Sequence, residues 1–330
     1  MRPILTRSFS VLFVTMVIAA ACVGDESGPG GETPLAGATG GTDSLTLTPE
    51  AAPGPFFLDL RTGERLPLPE HLVGDGTCGY LASPDRTRVA YQTCGGNIYG
   101  SPADVATIAN IDGTDARTLE VPEGLNASVR AWSPDGTKLA YQLRKGGTRD
   151  IGDLFVHDLS SGEQTQLTHL ELTTAPWYWL NMSFTPDGRN VVFHLPRSSS
   201  IETRWDVWSV PVTGGEPTLV LRNAASPVYL SGGEELAFIA PATSAFDGQS
   251  IAIANGDGSR RTLVEANEGI GFQAMSPDGS RIAYADGGCH IAIGADCSVY
   301  VVEVATGEST KVAEGTWSAW LDDDTLIVTP

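Results

Sequence analysis

From residue 56 onward the apolar residues come in short alternating bursts, separated by turns rich in Gly, Pro, Asp and Ser. No useful stretch past residue 55 keeps the 3.6-residue period of an amphipathic helix, so the pattern predicts strands throughout. The clearest unit is VRAWSPDGTKLAYQ at 129–142. Proline at the second turn position pre-sets φ, Asp tolerates the bridge region, and Gly supplies the left-handed residue that closes the turn. The flanking runs, Val129 to Trp132 and Leu139 to Tyr141, are expected to pair antiparallel. Related wording recurs as SPDRTRVAY (83–91), TPDGRNVVF (185–193) and SPDGSRIAY (276–284). A single hairpin is marginal in water, so repetition predicts a fold in which each copy buries its face against the next.

The columns of the repeat extend to six copies. The second strand of each hairpin reads Val89-Ala90-Tyr91, Leu139-Ala140-Tyr141, Val191-Val192-Phe193, Leu236-Ala237-Phe238, Ile282-Ala283-Tyr284 and Leu326-Ile327-Val328. Their third positions are 50, 52, 45, 46 and 44 residues apart. An apolar residue precedes each turn: Ala82, Trp132, Phe184, Leu230, Met275 and Trp320. Two turns, SGGE at 231–234 and LDDD at 321–324, have lost the Pro-Asp pair. Each first hairpin has a second, with Gly-bearing turns such as DLRTGER (59–65) and EVATGES (303–309). The order is offset: the chain begins with a second hairpin (56–69) and ends with a first one (316–329).

Four strands per period of about 45 residues is the spacing of a β-propeller blade. The offset predicts an all-β, six-bladed propeller with four antiparallel strands per blade. Its ring is closed by one blade shared between the N- and C-terminal hairpins, which leaves no unpaired radial end.

The wording SPDG-x-x-LAY, followed by DLxxGExxxLT, resembles the TolB-like propeller repeat over residues 56–329, and four of six copies keep Pro-Asp. The resemblance implies that the SPDG turns lie on the bottom face. It also implies that the loops 92–104, 143–152, 195–205, 240–249 and 285–297, with linkers such as 169–178, surround a funnel on the top face. TolB has an α/β domain ahead of its propeller where only a tether stands here, so a TolB-like domain rather than TolB itself is expected. Such blades occur in periplasmic scaffolds, peptidase lids and some lyases.

The N-terminus is of a different kind. Arg2 and Arg7 precede a nearly uniform apolar run from Phe9 to Ala21, too short to span a bilayer but suited to a signal peptide (1–21). VIAAAC, with small residues ending at Cys22, resembles a bacterial lipobox and implies cleavage before a lipidated Cys22; an ordinary signal peptide with an incidental Cys is the alternative. Residues 22–55, dominated by Gly, Pro, Thr and Ser, read as a disordered tether. The domain is then 56–330, held extracytoplasmically at the cell envelope by lipid. Four further cysteines suggest two disulfides in an exported protein. Three pairings are possible; the local one, Cys78–Cys94 with Cys289–Cys297, needs the least chain closure.

Charge narrows the partners. Forty acids face twenty bases, and removal of Arg2 and Arg7 leaves eighteen, for −22. A chain this acidic is repelled by phosphate backbones, and no Gly-rich phosphate loop occurs, so nucleic acid is excluded as an expected partner. The turn aspartates Asp85, Asp135, Asp187 and Asp278 are explained by bonds to local backbone donors. His71, His169, His194 and His290 are expected near top-face strand ends but share no ligand spacing, so neither metal nor cofactor is predicted. No GxSxG elbow is present. Trp177, Tyr178 and Trp179 in PWYWLNMSF remain, together with Arg144, Lys145, Arg149, Arg197 and Arg204 in the top loops of blades three and four. Aromatic side chains and Arg form binding hot spots. The expected function is therefore a monomeric, non-enzymatic scaffold that binds an envelope protein, an acidic small ligand or a glycan. A metal-dependent lyase or hydrolase acting in the funnel is the alternative.

Overall fold

The computed structural model describes residues 54–73, 77–93, 105–145, 151–170, 180–197, 204–240, 249–265, 269–286, 297–315 and 317–329. Blade 1 takes its outer strands, β1 (Phe56–Asp59) and β2 (Arg65–Pro67), from the start of the domain. Blade 2 is β3 (Thr77–Ala82), β4 (Arg88–Thr93), β5 (Ala106–Asn110) and β6 (Arg117–Thr118). Blade 3 follows as β7 (Leu125–Trp132), β8 (Lys138–Lys145), β9 (Asp153–Asp158) and β10 (Gln164–Gln166). Blade 4 is β11 (Met182–Phe184), β12 (Asn190–Pro196), β13 (Trp205–Pro211) and β14 (Thr218–Arg222). Blade 5 is β15 (Ala225–Tyr229), β16 (Leu236–Ala240), β17 (Ser250–Ala254) and β18 (Arg260–Glu265). Blade 6 is β19 (Ile270–Met275), β20 (Arg281–Asp286), β21 (Ser298–Glu303) and β22 (Ser309–Glu314). The inner half of blade 1, β23 (Trp317–Trp320) and β24 (Thr325–Thr329), ends the chain.

Every sheet has four antiparallel strands, and blade 1 runs β2-β1-β24-β23. Phe56 pairs with Val328 and Asp59 with Thr325, so the two ends of the domain meet in one ladder. The innermost strands of successive blades touch all the way round, including β19 with β23 and β23 with β3. This is the closed six-bladed ring predicted from the offset.

The aliphatic–small–aromatic column has a simple cause. Side chains alternate across a strand, so its first and third positions face the preceding blade and its second faces the next. Leu139 and Tyr141 join Ala90 and Ile108 in the seam between blades 2 and 3. Ala140 turns the other way, into the seam where Val191 and Phe193 reach back from blade 4. The small residue leaves room for the aromatic arriving from its neighbour. The same arrangement puts Leu236 and Phe238 against blade 4 and Ala237 against blade 6.

The turns form a second ring. In each Pro-Asp turn the hydroxyl of Ser83, Ser133, Thr185 or Ser276 donates to the Asp two residues on, at 2.5–2.6 Å. That carboxylate also accepts a backbone N–H at 3.0–3.1 Å. These bonds hold all four carboxyls below their usual range, even though burial is the largest influence at Asp278 and acts in the opposite direction. Gly136 and Gly188 are left-handed, and a Cβ on either would lie 3.8 Å from the proline of the preceding blade's turn, Pro84 or Pro134. The LDDD turn closes this ring without proline. Asp323 accepts from the Asp278 N–H at 2.9 Å on one side and from Arg86 at 3.0 Å on the other.

Indole bonds tie the inner strands directly. Trp132 Nε1 donates to the Leu81 carbonyl at 3.0 Å, and Trp320 Nε1 to the Ala274 carbonyl at 2.9 Å. A chain ending before residue 316 would leave β1 without β24 and expose the Phe56, Leu58 and Val299 seam. Such a truncation is expected to aggregate and lose cooperative melting in calorimetry; a soluble, cooperatively melting product would contradict closure through blade 1.

Candidate binding face

Strands two and three of each blade are joined at the end opposite the Pro-Asp turns, so adjacent blades present these connections on one face. Blade 3 ends β8 there with Arg144 and Lys145. Gly152 brings the chain back so closely that a Cβ would collide with the Leu143 carbonyl, and its φ of +71° is left-handed. In blade 4 the β12–β13 ladder ends with Arg197 N–H bonded to the Arg204 carbonyl at 2.9 Å. Arg204 is exposed. The structure thus places Arg144, Lys145, Arg197 and Arg204 at the same end of two adjacent blades. Arg149, Trp177, Tyr178 and Trp179 lie outside the described residues.

Arg197 is engaged within its own blade. Its Nε and Nη2 donate to the two Asp206 oxygens at 2.7 and 2.6 Å. The Asp206 side chain is 5% exposed, and also accepts the Asn223 N–H at 2.9 Å. Burial pushes this carboxyl up, but the Arg197 and Asn223 bonds and the Arg222 charge outweigh it and hold it below the usual range. A bidentate pair of this kind fixes geometry. Arg197 therefore braces the loop base by pairing with a nearby acid of the same sequence stretch.

The histidines divide. His71 departs from its expected place beside the top-face loops: it packs against the second-hairpin turn of blade 2, where a Cβ on Gly113 would come 2.5 Å from its ring. The cause is the short 3₁₀ turn Glu70–Leu72, which carries the chain across from blade 1 to blade 2. His169 is exposed and lies 3.0 Å from Gln166. His290 and its loop lie outside the described residues. Among the described residues no group of three or more His, Cys, Asp or Glu is placed to hold a metal ion.

His194 belongs to a feature the sequence reading missed. The position after the aliphatic–small–aromatic triplet reads Gln92, Gln142, His194, Ile239, Ala285 and Thr329: polar and bulky in blades 2 to 4, different beyond. These three side chains are buried, at 1%, 1% and 4% exposure. Gln92 accepts the Val129 N–H of the next blade at 2.9 Å, and His194 Nδ1 accepts the Ser226 N–H at 3.2 Å. Both receiving strands shift register at these points. A bulge frees an N–H that a buried acceptor must satisfy. Ser226 is held left-handed at φ 49°, and its hydroxyl takes a bond from Asn181 at 2.9 Å. Reading the fourth column of the repeat would have found all three residues.

Burial, aided by the Arg130 charge and opposed by a bond to the Asn181 backbone, pushes His194 down to about 4. The unfolded chain regains a value near 6.5, so it binds the proton first as pH falls. Stability is complete above pH ~6.5 and declines toward pH 4, by up to about 3 kcal/mol. The turn carboxylates, all lowered, act only below their unfolded values near 3.8 and so outside this window. His194→Gln, which copies Gln92 and Gln142, is expected to reduce the slope of denaturant-derived stability between pH 6.5 and 4.5, leaving the part due to His157, which burial also lowers; an unchanged slope would refute the assignment.

No family model and no curated protein matches the sequence. Solved structures do match in fold. The structure of a putative TolB from Agrobacterium tumefaciens is 14% identical with a TM-score of 0.62, over 84% of this chain and 96% of that one. TolB from Acinetobacter baumannii is 14% identical with a TM-score of 0.54, over 83% of this chain. The match spans 63% of that protein, less than two thirds of its length. An oligogalacturonate lyase from Vibrio parahaemolyticus is 16% identical with a TM-score of 0.52, over 83% of each chain. Identities this low establish architecture alone, and the architecture is that of a six-bladed TolB-like β-propeller.

Proposed function

We propose that the protein is a lipid-tethered, extracytoplasmic binding scaffold that presents the loop ends of blades 3 and 4 to an envelope protein or an acidic ligand. The observation that carries this reading is the polarity of the two ends of the barrel of blades. The turn end holds Asp85, Asp135, Asp187, Asp278 and Asp323, each engaged in its own or a neighbouring turn. The loop end of blades 3 and 4 carries Arg144, Lys145 and Arg204 on a chain with twice as many acids as bases. An acidic partner is repelled elsewhere and admitted there. Arg149 and Trp177 to Trp179 belong to loops that leave the same ends, and complete the proposed contact set. The fold likeness to TolB structures is compatible with a binding role.

Because Arg197 braces Asp206, the test uses Arg149, Arg204 and Trp179. Alanine at these three is expected to abolish partner capture from solubilised envelopes with the melting temperature nearly unchanged. Arg197→Ala alone is expected to lower the melting temperature by roughly 3 °C or more, since Asp206 loses its main partner. Capture that survives the triple substitution would move the site elsewhere.

The tether and anchor are part of the same proposal. Cys22→Ser is expected to release the protein from the membrane fraction, and a soluble wild type would rule out the lipid anchor. Cys297 is buried, and the local pairing, Cys289 with Cys297 and Cys78 with Cys94, is kept as part of the proposal. Non-reducing peptide maps of the same material are expected to show those two links and no 78–289 or 78–297 link.

A further inference from the structure

The outermost strands of the six blades differ in how they end their sheets. An edge strand offers a row of backbone N–H and C=O groups to any other strand, and proteins blunt it with shortness, charge or proline. β6 has two residues and the polar β10 three, while β2 sets Arg65 and Pro67 around Leu66. β18 starts with Arg260 and Arg261 and ends in Glu265, and β22 carries Lys311 and Glu314. β14 lacks these devices: its five residues read TLVLR, with a charge only at the last. It ends its sheet, and among the described residues no strand pairs with its outer side.

Blades 5 and 6 show what blade 4 has changed. In all three blades the outer strand carries one residue more than its partner: Val220, Leu263 and Val312. Leu263 is 9% exposed and Val312 packs into the seam with blade 1, whereas Val220 is 40% exposed. Before the extra residue stands Leu219, 38% exposed, where blades 5 and 6 have Thr262 and Lys311. Two positions after it stands Arg222, where they have Glu265 and Glu314. Blade 4 thus presents apolar side chains on an open edge, with exposed Glu216 before it and exposed Arg222 at its end.

That order of charges selects the occupant. If a second β14 lies antiparallel about a two-fold axis at Leu219, Leu219 faces its own counterpart and Thr218 faces Val220. Glu216 then faces Arg222 at both ends, and opposite charges across a strand pair are favourable. A parallel copy in register would set acid against acid and base against base. We propose that β14 pairs antiparallel with the β14 of a second copy of this chain, merging the two fourth blades into one continuous sheet. Each copy has one such edge, so the assembly closes at two. The contact replaces the single copy expected from the sequence, and it lies on the outer rim, apart from the loop-end reading.

The test is sedimentation velocity on the full chain in density-matched detergent. Salt is set at about 0.15 M, where a Debye length of about 8 Å screens the overall acidity of the two copies. The mass is expected to rise from one copy to two with concentration, with a Kd on the order of 0.1 mM or tighter, as suits a contact of one strand. Leu219→Lys, which copies Lys311, is expected to weaken association about tenfold or more with the melting temperature unchanged. Glu216→Arg and Arg222→Glu are each expected to stay single, because like charges then meet at both ends. An equimolar mixture of these two variants is expected to associate, because each end regains one acid and one base. A wild type that keeps the mass of one copy at about 1 mM overturns the proposal, as does association that survives Leu219→Lys. A mixture no better than its components does the same. Arg222 also lies 3.8 Å from Asp206. If Arg222→Glu therefore fails to fold, Glu216→Arg decides with Leu219→Lys: loss of association in both supports the pairing, and unchanged association in either overturns it.

Discussion

The structure depends on one antiparallel pairing, that of β1 with β24, which joins residues 56–59 to residues 325–329. Each blade is a sheet with two faces, and neither face is covered from within the blade. Six blades bury both faces only if the sixth meets the first, and the shared blade makes that meeting a set of backbone hydrogen bonds rather than a side-chain contact. The cost is a loop spanning nearly the whole domain, closed once; closure entropy grows only logarithmically with length, so the cost is modest beside the seams it completes. Phe56, Trp320, Leu326 and Val328 are buried in one of these seams only because the ring is shut.

Given closure, the blades are held at three radii. Near the axis, indole N–H groups of Trp132 and Trp320 reach the carbonyls of the preceding inner strand. Further out, aromatic residues such as Tyr141 and Phe193 fill the space left by small partners on the neighbouring blade. At the turn end, prolines and left-handed glycines nest blade by blade, and Asp323 substitutes hydrogen bonds where the motif has decayed. The aspartates of these turns are therefore structural. Their carboxylates are engaged by hydroxyls and backbone N–H groups that leave little for chemistry.

The opposite end carries the variation. The turns are short and repeat one geometry, whereas the loops of blades 3 and 4 differ in length and charge, as expected where a rigid scaffold displays a variable surface. The buried polar residues of blades 2 to 4 stand between these two regimes. Gln92 and His194 satisfy bulges, and Gln142, beside the unbroken β11, holds Arg130, the bulge residue of its own blade. One half of the ring is thus polar at a depth where blades 5 and 6 place Ile239 and Ala285.

The sequence by itself determined the strand pattern, the count of six, the offset of hairpins and hence the closure, because period-2 alternation and turn chemistry are local properties written in adjacent residues. It also determined the role of Asp85 and its equivalents, whose partners lie two residues away. Tertiary structure alone decided what depended on strand register or on a neighbouring blade. His71 settles on Gly113 of the next blade because a 3₁₀ turn carries it there. The bulge at Arg130 is a mismatch in count between two strands, so it exists only in their register. Local residues specify a hairpin, but the partner of a buried side chain is set by strand register and, for Gln92 and His194, by the blade that stands beside it.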